Sequence, residues 1–96
     1  MLLDKQRVTK VKYELGLTDL AKFCGFVIHI PENDEFIGKI QETPYSKVIG
    51  YVPIPDYAIK YRRYDKAVKA AKKCGKYKNV IGFLFDLGEI HYVGFE

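Results

Sequence analysis

The sequence predicts a single small α+β domain over residues 1–96: a four- to six-stranded, mostly antiparallel sheet, one long amphipathic helix over about residues 57–74, and a short helix near the N-terminus. Three observations carry this reading. Several short runs are rich in β-branched and aromatic residues and are bounded by Gly, Pro or acidic turns, which is the pattern of strands. One stretch places Tyr57, Tyr61, Tyr64, Val68 and Ala71 at the 3.6-residue period of a helix. The chain has 48% hydrophobic and 29% charged residues, the balance of a globular domain with a modest core.

In chain order, Thr9, Val11, Tyr13 and Leu15 alternate with Lys10, Lys12 and Glu14, which predicts a half-buried strand. A helix through Val8, Val11 and Leu15 is the rival. Thr18 is placed to cap a short helix through Leu20, Ala21 and Cys24, closed by Gly25. Phe26, Val27, Ile28, His29 and Ile30 form the next strand, stopped by Pro31. After the polar turn over Pro31, Glu32, Asn33, Asp34 and Glu35, the chain returns over 36–41, and 47–54 forms another strand with Pro53 at its end. Asp56 suits the N-cap of the long helix, and Gly75 the position after it. Strands at 79–86 and 89–95 follow, joined by a tight turn at Leu87 and Gly88. The order βαβββαββ is compatible with a split βαβ variant of the ferredoxin-like plan.

Composition narrows the function classes. No segment is long and apolar enough to cross a bilayer, and the charged start, Asp4 and Lys5, is unlike a signal peptide. Two cysteines, Cys24 and Cys74, are too few for a disulfide scaffold, so free thiols and a cytoplasmic setting are expected. The net charge of +4 is unevenly spread: residues 57–78 hold nine basic residues and one acid.

That segment is the strongest candidate site. On a helix, Arg62, Lys66, Lys69 and Lys73 form one stripe, with Arg63 and Lys72 at its margins and Lys76 just beyond. Cations in a row on a rigid element suit a phosphate backbone, so nucleic acid or another acidic surface is the expected partner. Asp65 is placed to pair with Arg62 or Lys69. A solvated lysine-rich helix face is the plain alternative. Tyr51 and Tyr77 lie outside the helix and are candidates to stack on bases. The strand 47–54 invites comparison with the central strand of RNA recognition motifs at Lys47, Gly50, Tyr51 and Val52, but departs from it at Val48, Ile49 and Ile54. A helix-turn-helix over 15–31 is excluded by the strand-like second half ending in Pro31.

Other chemistry finds no motif. Cys24, His29, Cys74 and His91 lack metal-ligand spacing, so no metal or cofactor is expected. No nucleophile pair, phosphate loop or serine elbow is present, so no catalytic residues are assigned. Glu32, Asp34 and Glu35 read first as a solvated turn. They also belong to the acidic 30–42 loop, which, or else a sheet edge, serves the second function class: a small regulator or inhibitor that binds another protein. A homodimer with a second copy of this chain is also compatible with the sequence.

Overall fold

The computed structural model describes residues 3–75 and 77–96. Helix α1 (Asp4–Glu14) precedes strands β1 (Lys22–Ile30), β2 (Glu35–Glu42) and β3 (Lys47–Val52). A 3-10 turn (Pro55–Tyr57), helix α2 (Tyr64–Lys73) and strands β4 (Val80–Asp86) and β5 (His91–Gly94) follow. The strands form one five-stranded sheet in the order β3-β2-β1-β4-β5, every neighbouring pair antiparallel. The fold is therefore α+β, and the five strands expected from 26 onward are all present. Helix α2 links β3 to β4, which run in opposite directions. No helix joins a parallel pair, as a split βαβ unit requires, so the ferredoxin-like relation does not follow from this topology. Strand β3 lies at the sheet edge, which removes the central-strand comparison with RNA recognition motifs.

Four local expectations are corrected. Residues 4–14 are helical rather than a strand over 9–15. Val11 is fully buried, while Tyr13 on the supposed same face is 84% exposed. The i, i+3, i+7 spacing of Val8, Val11 and Leu15 wins because those three side chains meet the core. No helix forms at 18–24, because Phe23 and Cys24 are already in β1. The long helix begins only at Tyr64. Before it, residues 59–61 run extended and wedge between β1 and β2. Tyr61 exchanges two backbone hydrogen bonds of 2.8 Å with Phe26, and the Ile59 N–H donates to the Ile37 carbonyl at 3.0 Å. Finally, the tyrosine stripe is only in part the buried face: Tyr61, Tyr64 and Ala71 pack on the core, but Tyr57 lies exposed in the 3-10 turn and Val68 is half-buried, while Ala67 and Cys74 complete the side that faces the sheet.

Both sheet faces are covered. On one, α1 and α2 lie over Phe26, Ile28, Phe83 and Phe85. Small residues at 67 and 71 let α2 approach while the sheet supplies the bulk, with Phe26, Phe83 and Tyr64 meeting edge-to-face. On the other, Val27, Phe36 and Leu84 pack with Ala58, Val52, Val93 and Cys24.

The helix ends are closed by distant side chains. Asp4 of α1 accepts a hydrogen bond from the Tyr64 N–H at 3.0 Å, capping α2 in place of the expected Asp56. Arg7 lies 4.0 Å above the Tyr64 ring and pairs with Glu96 at 2.7 Å. At the other end, Asn79 Nδ2 donates to the carbonyls of Ala71 (3.0 Å) and Cys74 (3.4 Å), and Lys47 Nζ donates to that of Lys73. These bonds satisfy carbonyls that a glycine C-cap would otherwise serve.

Candidate functional site

Only part of the predicted basic stripe is helical. Lys66, Lys69, Lys72 and Lys73 are on α2 and exposed. At 100° per residue they cover an arc of about 120°, centred almost opposite Ala67, Ala71 and Cys74. The sheet thus fixes the direction in which the lysines point. Arg62 and Arg63 precede the helix, so the stripe loses its first member; both are exposed in the bend that leads into α2. Lys76 lies outside the described residues.

Asp65, on the same arc at the N-terminal end of α2, pairs with Arg63 at 3.2 Å and not with Arg62 or Lys69. This ion pair is exposed and screened, but it neutralises the one acid on the lysine face. Beside the lysines a groove runs between α1 and α2, lined by Arg7, Arg63, Val68, Lys69 and Lys72 together with Asp4 and Asp65. On its α1 side Asp4 and Arg7, which pairs with Glu96, leave no net positive charge, so the positive surface belongs to α2.

Tyr51 and Tyr77 are brought together, their ring centroids 6.0 Å apart and nearly perpendicular. Both pack on the core beneath the C-terminal end of α2. An edge-on, half-buried pair presents less free ring face than a stacking platform needs. The acidic loop is split in its roles. Glu32 is exposed. Asp34 adopts a left-handed conformation (φ 52°) and bonds His29 Nε2 at 3.0 Å, and Glu35 belongs to β2 opposite Ile30.

The structure also gathers a cluster that motif spacing does not show. One donor atom each from Cys24, Asp86 and His91 lie within 4.8 Å of one another. Asp86 and His91 are directly opposed across the β4–β5 hairpin. Cys24 joins them through a bulge: the ladder with β4 shifts between Phe23 and Gly25, leaving Cys24 as the extra residue. The bulge sends Phe23 into the helix-side core and Cys24 to the opposite face. Asp56 Oδ2 lies 3.0 Å from His91 Nδ1. Burial pushes the Cys24 thiol above its ordinary range; Asp86 and Asp56 push the same way and Lys60 opposes. Cys74, buried under α2, is likewise raised by burial and stands apart from this cluster.

The Asp86–His91 pairing did not follow from the expected hairpin: a two-residue turn at Leu87 and Gly88 would set Asp86 opposite Glu89, whereas the loop spans 87–90, the Leu87 N–H donates to the Ile90 carbonyl at 2.9 Å, and β5 starts only at His91. Nor was the approach of Cys24 legible, because a bulge leaves no clear mark in a single sequence. Among the described residues no helix is long and apolar enough to cross a membrane. Comparison of the chain with protein-family models, with curated proteins and with solved structures gave no match.

Proposed function

We propose that this domain binds a nucleic-acid backbone through the solvent face of α2. One observation carries the reading: Lys66, Lys69, Lys72 and Lys73 occupy a single exposed arc opposite the helix's buried side. A helix pinned to a sheet holds its charges in fixed relation, which suits a row of phosphates better than the same charges on a loop. The exposed Arg62 flanks the arc. The surface offers charge and little that could read base edges, so the expected binding is backbone-directed and tolerant of sequence.

The test is a binding titration against duplex DNA, single-stranded DNA and RNA at two salt concentrations. Four lysine–phosphate contacts on a duplex give a log–log salt slope of about −3.6, so binding weakens roughly 150-fold from 50 to 200 mM salt. Replacing the four lysines with Ala should abolish most of this affinity and flatten the slope, with circular dichroism unchanged. A parent protein that binds none of the three nucleic acids refutes the proposal, as does a folded quadruple variant that binds like the parent.

A further inference from the structure

We propose that Cys24, Asp86 and His91 form a binding site for a divalent transition-metal ion of the zinc class. The three side chains offer a sulfur, a carboxylate oxygen and an imidazole nitrogen, donors that zinc accepts together. Tetrahedral coordination at ordinary zinc–ligand lengths places donors about 3.3–3.8 Å apart. The three donors lie within 4.8 Å of one another, so metal binding would draw them somewhat closer together.

Three independent features of the fold converge on the site. The hairpin register fixes Asp86 opposite His91. The Gly88 N–H donates to Asp86 Oδ1 at 2.8 Å, holding that carboxylate at the hairpin mouth. The bulge in β1 sends Cys24 to the same face. Asp56 Oδ2 then stands 3.0 Å from His91 Nδ1, so a metal held at Nε2 would have its histidine oriented by Asp56 through the other ring nitrogen. Of the nearby cations, Lys60 donates to the backbone carbonyls of Asp56 and Ala58, and Lys22 lies opposite Asp86 in the β1–β4 ladder. Metal binding replaces the thiol proton of Cys24, which leaves to solvent as the sulfur–metal bond forms. With three protein donors, the fourth coordination position falls to water or a small ligand, the arrangement of an open site rather than a closed structural one. This site lies away from the lysine arc and stands independently of it.

The site is tested by titrating the purified protein with Co2+, whose thiolate complexes show a near-ultraviolet charge-transfer band. One equivalent should bind and produce the band. The band should vanish in Cys24→Ser and persist in Cys74→Ser. Asp56→Asn should weaken binding about 10- to 100-fold. Should Cys24→Ser fail to fold by circular dichroism, the exposed His91→Ala and Asp86→Asn decide: each should lose stoichiometric binding while keeping the parent's fold. A folded parent that takes up no stoichiometric Co2+ overturns the proposal, and so does a band that depends on Cys74 or survives in both His91→Ala and Asp86→Asn.

Discussion

Asp4 is the side chain through which one helix closes the other, and replacing it should loosen α2 from its N-terminal end. Its carboxylate accepts from the Tyr64 N–H at 3.0 Å, satisfying one of the donors that a helix start leaves unpaired. The carboxylate also places negative charge at the positive end of the α2 dipole. Asp4→Ala removes both effects. Loss of a capping acceptor costs about 0.5–2 kcal/mol, and the partly buried setting favours the upper half of that range. Asp4→Asn keeps an acceptor of the same shape and loses only the charge, at a cost of about 0.3–1 kcal/mol. For a domain of this size each kcal/mol lowers the melting temperature by roughly 4–8 °C. Thermal melts of the parent and the two variants should therefore rank parent, Asn, Ala. Asp4 also sits in the first turn of α1, so melting alone does not locate the damage. Amide hydrogen exchange does: the Tyr64 amide and the first turn of α2 should exchange faster, about tenfold for each 1.4 kcal/mol of local destabilisation. An Ala variant that melts with the parent, or one whose faster exchange is confined to α1, would refute the cap.

The core face of α2 gives a paired test. Ala67→Asp should unfold the domain, because it buries a charge among Phe26, Phe83 and Phe85, a cost of several kcal/mol against a typical total of 5–15. Val68→Asp, at the groove between the helices, should cost about 1 kcal/mol and leave a cooperative melt; equal losses by chemical denaturation would place the buried face wrongly. Alkaline stability offers a third test. Burial raises the Cys24 and Cys74 thiols and the Tyr61 phenol, so the folded state favours their neutral forms. The stability this contributes is fully present below the unfolded-state values and is lost as pH rises through the raised folded values. Unfolding free energy should thus begin to fall above roughly pH 8.5, the ordinary thiol range. The first part of the fall should be shallower in Cys74→Ala; an unchanged slope in that variant would remove Cys74 as its source.

What the sequence shows of this fold depends on how local the cause is. Strands bounded by Pro31, by the Pro44 loop and by Gly88 are legible because their breakers act within a residue or two. Gly88 takes the expected positive φ of 105°. The N-terminal helix is misread because Thr9, Val11 and Tyr13 satisfy a period of two while Val8, Val11 and Leu15 satisfy 3.6. Only the packing of Val11 against Phe26 and Phe83 decides between them. The helix at 57–74 is overextended for a similar reason. Tyr57, Tyr61 and Tyr64 have helical spacing, but Tyr61 finds the open backbone of β1 at Phe26, and that non-local pairing overrides the local period. The lysines of α2 were legible because exposure follows from amphipathic spacing. The grouping of Cys24 with Asp86 and His91 was not, because it is made by a bulge and by a strand pairing distant in the chain.

That distant pairing has a kinetic consequence. The ladder between β1 and β4 joins positions as far apart as Lys22 and Asp86, and it forms the centre of the sheet. The β1–β2–β3 and β4–β5 units close over short loops, yet β1 and β4 each lack their second sheet neighbour until this ladder forms. Loop-closure entropy must be met before the ladder rewards it, so the folding barrier lies in bringing the two hairpin units together. Substitutions along the facing residues Phe26 and Phe83 should slow folding as well as weaken the native state, whereas changes at the β3 edge should act mainly on unfolding. The domain's speed of assembly is thereby set at its middle, by two strands that lie near opposite ends of the chain.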